Sequence, residues 1–183
     1  MKKLIFLLLL APVMANAQTK VFTKKGQISF YSETSVEKIE AHNNRVTAVL
    51  EQESGKLEFS VLITAFEFEK ALMQEHFNEN YMESPKFPKA TFKGAITNIK
   101  DIDFKKDGEY VAKVEGEMTI HGVTKKVAES GKIVIKGGKI SASSTVNIAL
   151  KDYNITVPSV VGAKIAEVIK VVVNIPSFEP LKK

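Results

Sequence analysis

The chain contains no cysteine and no tryptophan. Without thiols it can build no disulfide framework, no thiolate zinc site, no cysteine nucleophile and no lipid-bearing cysteine. Arginine is nearly absent too, Arg45 being its single instance. Surfaces that read phosphates or nucleic-acid bases lean on arginine forks, so no nucleic-acid partner is expected. Histidine is scarce: His42, His76 and His121 form no i, i+4 pair, no HExxH and no His-x-His. No local spacing therefore supports a metal site. A GxSxG elbow and a glycine-rich phosphate loop are also missing, and with them the usual marks of a serine hydrolase or a nucleotide enzyme. The expectation is a protein with no catalytic residues, no metal and no cofactor.

Long hydrophobic runs are missing except for one, Leu4 to Val13 (LIFLLLLAPV). It follows Lys2 and Lys3 and precedes a small-x-small box, Ala15-Asn16-Ala17. This is the order of a secretory signal peptide, expected to span residues 1–17 and to be cleaved after Ala17. The run is far shorter than the ~20 residues of a membrane-spanning helix. The expected mature domain is residues 18–183, free of any integral membrane span and either periplasmic or secreted. Loss of Lys2 and Lys3 lowers the net charge from +5 to +3, too weak a bias to argue for a polyanionic partner.

What is abundant is β-branched. After Ala17 the chain holds 33 valines and isoleucines against 6 leucines, a balance that suits pleated surfaces better than helices. The periodicity agrees. Apolar or small residues alternate with polar ones at Ile28–Ser32, Val46–Leu50, Leu57–Ile63, Ala90–Ile96, Tyr110–Ile120, Val127 with Gly131–Ile135, Ile140–Leu150 and Val171–Ile175. A period of two with one apolar face marks half-buried antiparallel strands. Turn signals separate the runs at Glu53-Ser54-Gly55-Lys56, Lys106-Asp107-Gly108-Glu109, His121-Gly122 and Gly137-Gly138. Two stretches break the pattern. Glu69 to Phe77 places Leu72, Met73, His76 and Phe77 at helical spacing, and Val160 to Val168 can hold a turn or short helix after Pro158. The count is about eight strands and one or two short helices in a single domain, as a sandwich or a closed barrel.

Several positions on the inward faces are small: Ala48, Ala90, Gly94, Ala112, Gly116, Ala142 and Ser144. An eight-stranded barrel is just wide enough to be filled by side chains or to hold one small ligand. Small inward residues suit a cavity, but large neighbours can equally fill the gaps, since cores alternate large and small. The histidines read as structural: His42 solvated in a polar loop with Asn43 and Asn44, His76 partly packed beside Phe77, His121 hydrogen-bonded at a turn. Glu58, Glu115 and Glu117 fall on outward strand positions. Phe66 and Phe68, where the alternation changes phase, suggest a bulge, packing under the helix, or part of a surface patch.

Three segments resemble a known family. Thr119 to Val127 (TIHGVTKKV) is similar to the T-i-H-G-v-T-k signature of the YceI-like family. Met73 to Gly94 (MQEHFNENYMESPKFPKATFKG) resembles that family's helical segment, polar turn and y-P-x-a-x-F-x-G strand opening. Lys151 to Ile155 (KDYNI) resembles its D-f/y-g/n-i element. The likeness covers roughly Gln27 to Ile175. It implies an all-β, about eight-stranded antiparallel lipocalin-like barrel, in exported proteins some of which enclose a long amphiphile such as a polyisoprenoid. The family's usual D-x-x-H-S opening is replaced here by Thr23 to Phe30, and the arginine often found before the D-f-g element is absent, Ala149-Leu150 occupying that stretch. Both departures fall where polar groups near the barrel mouth would meet a ligand's head group.

The motifs also have plain physical readings. Gly122 supplies a backbone conformation that side chains resist, Thr119 and Thr124 can bond across the turn, and Pro85 and Pro88 set the approach to the next strand. The leading expectation is a carrier holding an isoprenoid or fatty amphiphile non-covalently in a barrel tunnel, of open oligomeric state with a dimer among the options. The residues expected to line the tunnel are Phe59, Val61, Ile63, Phe92, Ile96, Val114, Met118, Ile133, Ile140, Ala142, Val146 and Ile148. The alternative is a filled barrel serving as an envelope stress or interaction protein without a small ligand. A third reading, an enzyme acting on bound lipid, needs a polar dyad inside the barrel, for which His121 with a nearby glutamate is the one candidate pair.

Overall fold

The computed structural model describes residues 20–181; the expected signal peptide lies outside the described residues. Nine strands form one antiparallel sheet: β1 (Lys20–Glu33), β2 (Lys38–Glu51), β3 (Lys56–Leu62), β4 (Glu67–Phe68), β5 (Lys89–Ile96), β6 (Gly108–Ile120), β7 (Val123–Lys136), β8 (Lys139–Ala149) and β9 (Val168–Pro180). The order is β1-β9-β8-β7-β6-β5-β3-β2, and pairing of β1 with β2 closes eight strands into a barrel. The short β4 adds to β2 as an extra strand, Ala41 opposite Phe68. One helix, α1 (Ala71–His76), runs on through a π-turn at Phe77–Tyr81. It extends past the expected Phe77 because Met73, Phe77 and Tyr81 continue one face toward the barrel interior. The Val160 to Val168 stretch supplies a short 3₁₀ segment, Ser159–Lys164.

Strands β1 and β2 are longer than the alternation suggests. The expected runs begin at Ile28 and Val46, whereas the strands begin at Lys20 and Lys38. The register shifts twice between them, around Thr23/Gly26 and Gly26/Ile28. Each shift flips which residues face inward, so a period-two reading loses the strand there. His42, Asn43 and Asn44 therefore lie on β2, not in a loop. Asn43 is fully buried and satisfied: its amide donates to the Leu62 carbonyl at 2.9 Å, and its Oδ1 accepts from the Arg45 amide at 2.9 Å. His42 stays at the surface against Ser29 and Glu40.

Chain direction gives the barrel two ends. The lower end holds the Gly137-Gly138 turn and is plugged by Val21, Leu50, Ile96, Ile102, Ile133, Ile135, Ile140, Ile175 and Phe178. The upper end gathers the β1–β2 turn, the 63–88 segment with α1, the β6–β7 turn and residues 150–167. A second cluster there, Ile63, Met82, Ile120, Tyr153 and Ile155, braces the connections. No helix among the described residues is long and apolar enough to cross a membrane.

Candidate ligand cavity

Above the lower plug lies a cavity of about 570 Å³, walled by residues from every strand and from α1. Its size is that of a small-molecule site. All the expected lining residues border it except Ile140: Phe59, Val61, Ile63, Phe92, Ile96, Val114, Met118, Ile133, Ala142, Val146 and Ile148 do. Ile140 sits one step lower on β8, opposite Ile135 and Phe178, and belongs to the plug.

The small inward residues split between two roles. Ala90, Ala112, Ala142 and Ser144 border the space, but Ala48, Gly94 and Gly116 do not. Gly94 and Gly116 face each other across β5 and β6. The ring of Phe92 lies over both; a Cβ at either glycine would meet its Cζ, at 2.5 and 2.8 Å respectively. Here a large neighbour does fill the gap.

Four phenylalanines gather toward the upper end: Phe30, Phe66, Phe68 and Phe77. Phe30 stacks on Phe77 at 5.3 Å and meets Phe66 at 5.3 Å and Phe68 at 5.7 Å. Phe77 is in turn edge-on or tilted against Phe66 and Phe68. Ring pairs at these distances add to plain area burial. Phe66 and Phe68 thus pack under the helix, with β4 placing them on one side. All four border the cavity. Beyond them Glu37, Lys70 and Lys164 rim the upper end.

The wall is not continuous. β7 pairs with β8 only from Gly131↔Ser144 down to Lys136↔Lys139, although both strands continue upward. Ser144 Oγ donates to the Ser130 carbonyl at 2.7 Å, the last tie below the divergence. Around it, residues 129–132 of β7 and 142–144 of β8 border the cavity, and above Gly131↔Ser144 no ladder pair joins the two strands among the described residues. The 3₁₀ turn Leu150–Tyr153 packs against both strands and closes the gap above. The result is a side window framed by Ser144 below and this turn above. An outer hollow shares Val114, Glu129 and Ser130 with the inner cavity, so these residues stand in the window itself.

Glu115 borders only the outer hollow, and the acidic group shared by both spaces is the carboxyl of Glu129. It is half-buried on β7's inward face, between Val127 and Gly131 and opposite Val114. Burial pushes it above the usual carboxylate range. Burial, and then the charges of Asp152 and Glu129, push the Tyr153 phenol upward as well.

The three segments that carry the family likeness meet at His121. His121 Nε2 lies 2.8 Å from Glu83 Oε2, and Nδ1 lies 3.2 Å from the Tyr153 carbonyl. His121 (φ 50°) and Gly122 (φ 75°) both take the left-handed backbone of a tight hairpin. A Cβ at Gly122 would collide with the Phe87 ring, which also packs edge-on against His121 at 4.7 Å. Thr119 and Thr124 bond across the strands at 2.8 Å. The histidine–glutamate pair exists, but neither residue borders the cavity; it fastens the β6–β7 turn to the 83–87 loop and to the turn at Tyr153. With a side chain only 11% exposed, losing these bonds should matter. His121→Asn keeps a residue that tolerates the backbone but cannot reach both partners, and it should lower stability by about 1–3 kcal/mol. Urea unfolding checks this, and ligand uptake should be unchanged.

Comparison with known proteins places this architecture. A family model described as a YceI-like domain matches residues 17–176. Among solved structures, a polyisoprenoid-binding domain from Saccharophagus degradans, implicated in plant cell wall breakdown, superposes with a TM-score of 0.75 at 10% identity, covering 90% of this chain and 100% of its own. BcnA of Burkholderia cenocepacia gives 0.70 at 14% identity, covering 85% and 96%. The YCEI protein of Campylobacter jejuni gives 0.55 at 20% identity, covering 88% and 86%. At these identities the likeness is one of fold. A comparison with curated proteins finds no match.

Proposed function

The chain belongs to the YceI-like family, and from that footing we propose that it is an exported protein that holds an isoprenoid or other long-chain amphiphile non-covalently inside its barrel. The observation that carries this reading is the apolar cavity of about 570 Å³ above the lower plug. A filled barrel would have no such space. The polyisoprenoid binding of the Saccharophagus degradans domain, which shares the fold, supports the same class of ligand. The driving force is removal of the chain from water, roughly 0.8 kcal/mol per buried CH₂ before ordering costs are subtracted. The role is binding without a catalytic step, because the His121–Glu83 pair serves to fasten loops and stands off the cavity wall. The N-terminal signal peptide read in residues 1–17 supports action in the periplasm or beyond the cell.

The test is direct. Mature protein purified from its own envelope without detergent is extracted with organic solvent, and the extract is analysed by mass spectrometry. A long-chain amphiphile at near one copy per protein is the expected result. A clean extract from folded protein that also takes up no added isoprenoid quinone would overturn the proposal.

A further inference from the structure

The window between β7 and β8 interrupts the wall where a polar group faces inward. Val127, Glu129, Gly131, Ile133 and Ile135 form one inward series on β7, and Glu129 is the one member bearing a charge. No ion pair or side-chain hydrogen bond engages its carboxyl among the described residues. Hydroxyls stand around it, Ser130, Ser143 and Ser144 bordering the inner cavity and Thr145 the outer hollow, which Lys113 and Glu115 also border. Of the two nearby lysines, one is engaged elsewhere. Lys132 is tied to Glu109 at 2.9 Å, and Lys113 is an exposed residue of the outer hollow beside Glu115.

Resting on the carrier reading, we infer that the polar end of the bound amphiphile lies in this window, where the Glu129 carboxylate accepts a hydrogen bond from an uncharged hydroxyl head group and disfavours anionic heads. The apolar chain then runs from the window into the cavity. A carboxylate is acceptor-only when ionised, and the Ser130 hydroxyl, which borders both spaces, can donate to the same head-group oxygen, the Ser144 hydroxyl being already engaged by the Ser130 carbonyl. A phosphate in that place would face a like charge in a partly desolvated setting, a costly arrangement. The upper rim offers the opposite chemistry, since Lys70 and Lys164 stand there; a phosphate-headed ligand would choose that end.

The experiment compares a polyprenol with the polyprenyl phosphate of the same chain length, each titrated into delipidated protein and read by native mass spectrometry. The wild type should favour the alcohol, and Glu129→Gln should reduce that preference by about tenfold, chiefly by admitting the phosphate. Glu129→Leu, which removes the acceptor, should weaken the alcohol by about tenfold. Thermal melts show whether each variant is folded, and Lys164→Gln serves as the control for the upper rim. An alcohol preference equal in wild type and Glu129→Gln, or a wild-type preference for the phosphate that Lys164→Gln abolishes, overturns the inference while leaving the carrier reading intact. Wild type that binds neither probe overturns the carrier reading and this inference with it.

Discussion

Alanine at Gly116 is expected to destabilise the barrel by about 2–4 kcal/mol, a large share of the stability of a domain this size. The backbone dihedrals are not the reason, because Gly116 is not among the residues with positive φ. The obstacle is space. A Cβ there would meet the Lys93 carbonyl oxygen, the Gly94 Cα at 2.5 Å and the Phe92 Cζ at 2.8 Å. The ring could swing away, but the backbone atoms belong to the β5–β6 ladder and cannot move without breaking it. Gly94→Ala should behave alike, meeting the Glu115 carbonyl oxygen on the facing strand. The two glycines share one contact, so the double variant should cost less than the sum of the singles. Chemical denaturation of the three variants measures this. Wild-type stability in Gly116→Ala would mean that Phe92 alone occupies the space and that the ladder has slack.

That glycine pair also marks where reading the sequence stops. Period-two alternation locates the strands and nearly every wall position, because in a barrel the apolar face of each strand has only one place to point. It fails wherever a residue is inserted. The bulges near Gly26 and Arg45 invert the faces of β1 and β2, so Lys20–Gln27 and Lys38–Arg45 look like polar loops. Small inward residues do not reveal whether they line a void or seat a ring, since that depends on rotamers of partners far along the chain. Phe92 settles it at Gly94 and Gly116, whereas nothing fills the space at Ala142. The aromatic cluster had a local trace in Phe66 and Phe68, but Phe30 and Phe77 join them only through tertiary packing. The window had none, because the point where two strands part company depends on the turn wedged above them. Glu129 was visible in principle as the charged interruption between Val127 and Gly131 in an inward series.

The ring of a phenylalanine at position 142 should block the cavity while leaving the fold intact. Ala142 lies on β8 between Ile133 of β7 and Ile175 of β9, at the level where the lower plug meets the open space. Its side chain points into that space, so a larger one has somewhere to go. This separates it from Gly116, where added atoms meet backbone. A ring displacing about four methylenes of a bound chain would remove roughly 3 kcal/mol, more than a hundredfold in affinity. Filling an apolar void tends to stabilise, so the melting temperature of Ala142→Phe should hold or rise. Loss of binding with retained stability is therefore the signature of a plugged cavity, and ordinary core damage would lower both. The chain-length dependence sharpens the reading. The deepest part of the cavity is the part removed, so long-chain alcohols should lose far more affinity than short ones. Equal affinity of wild type and Ala142→Phe across chain lengths would place the bound chain elsewhere than against β8.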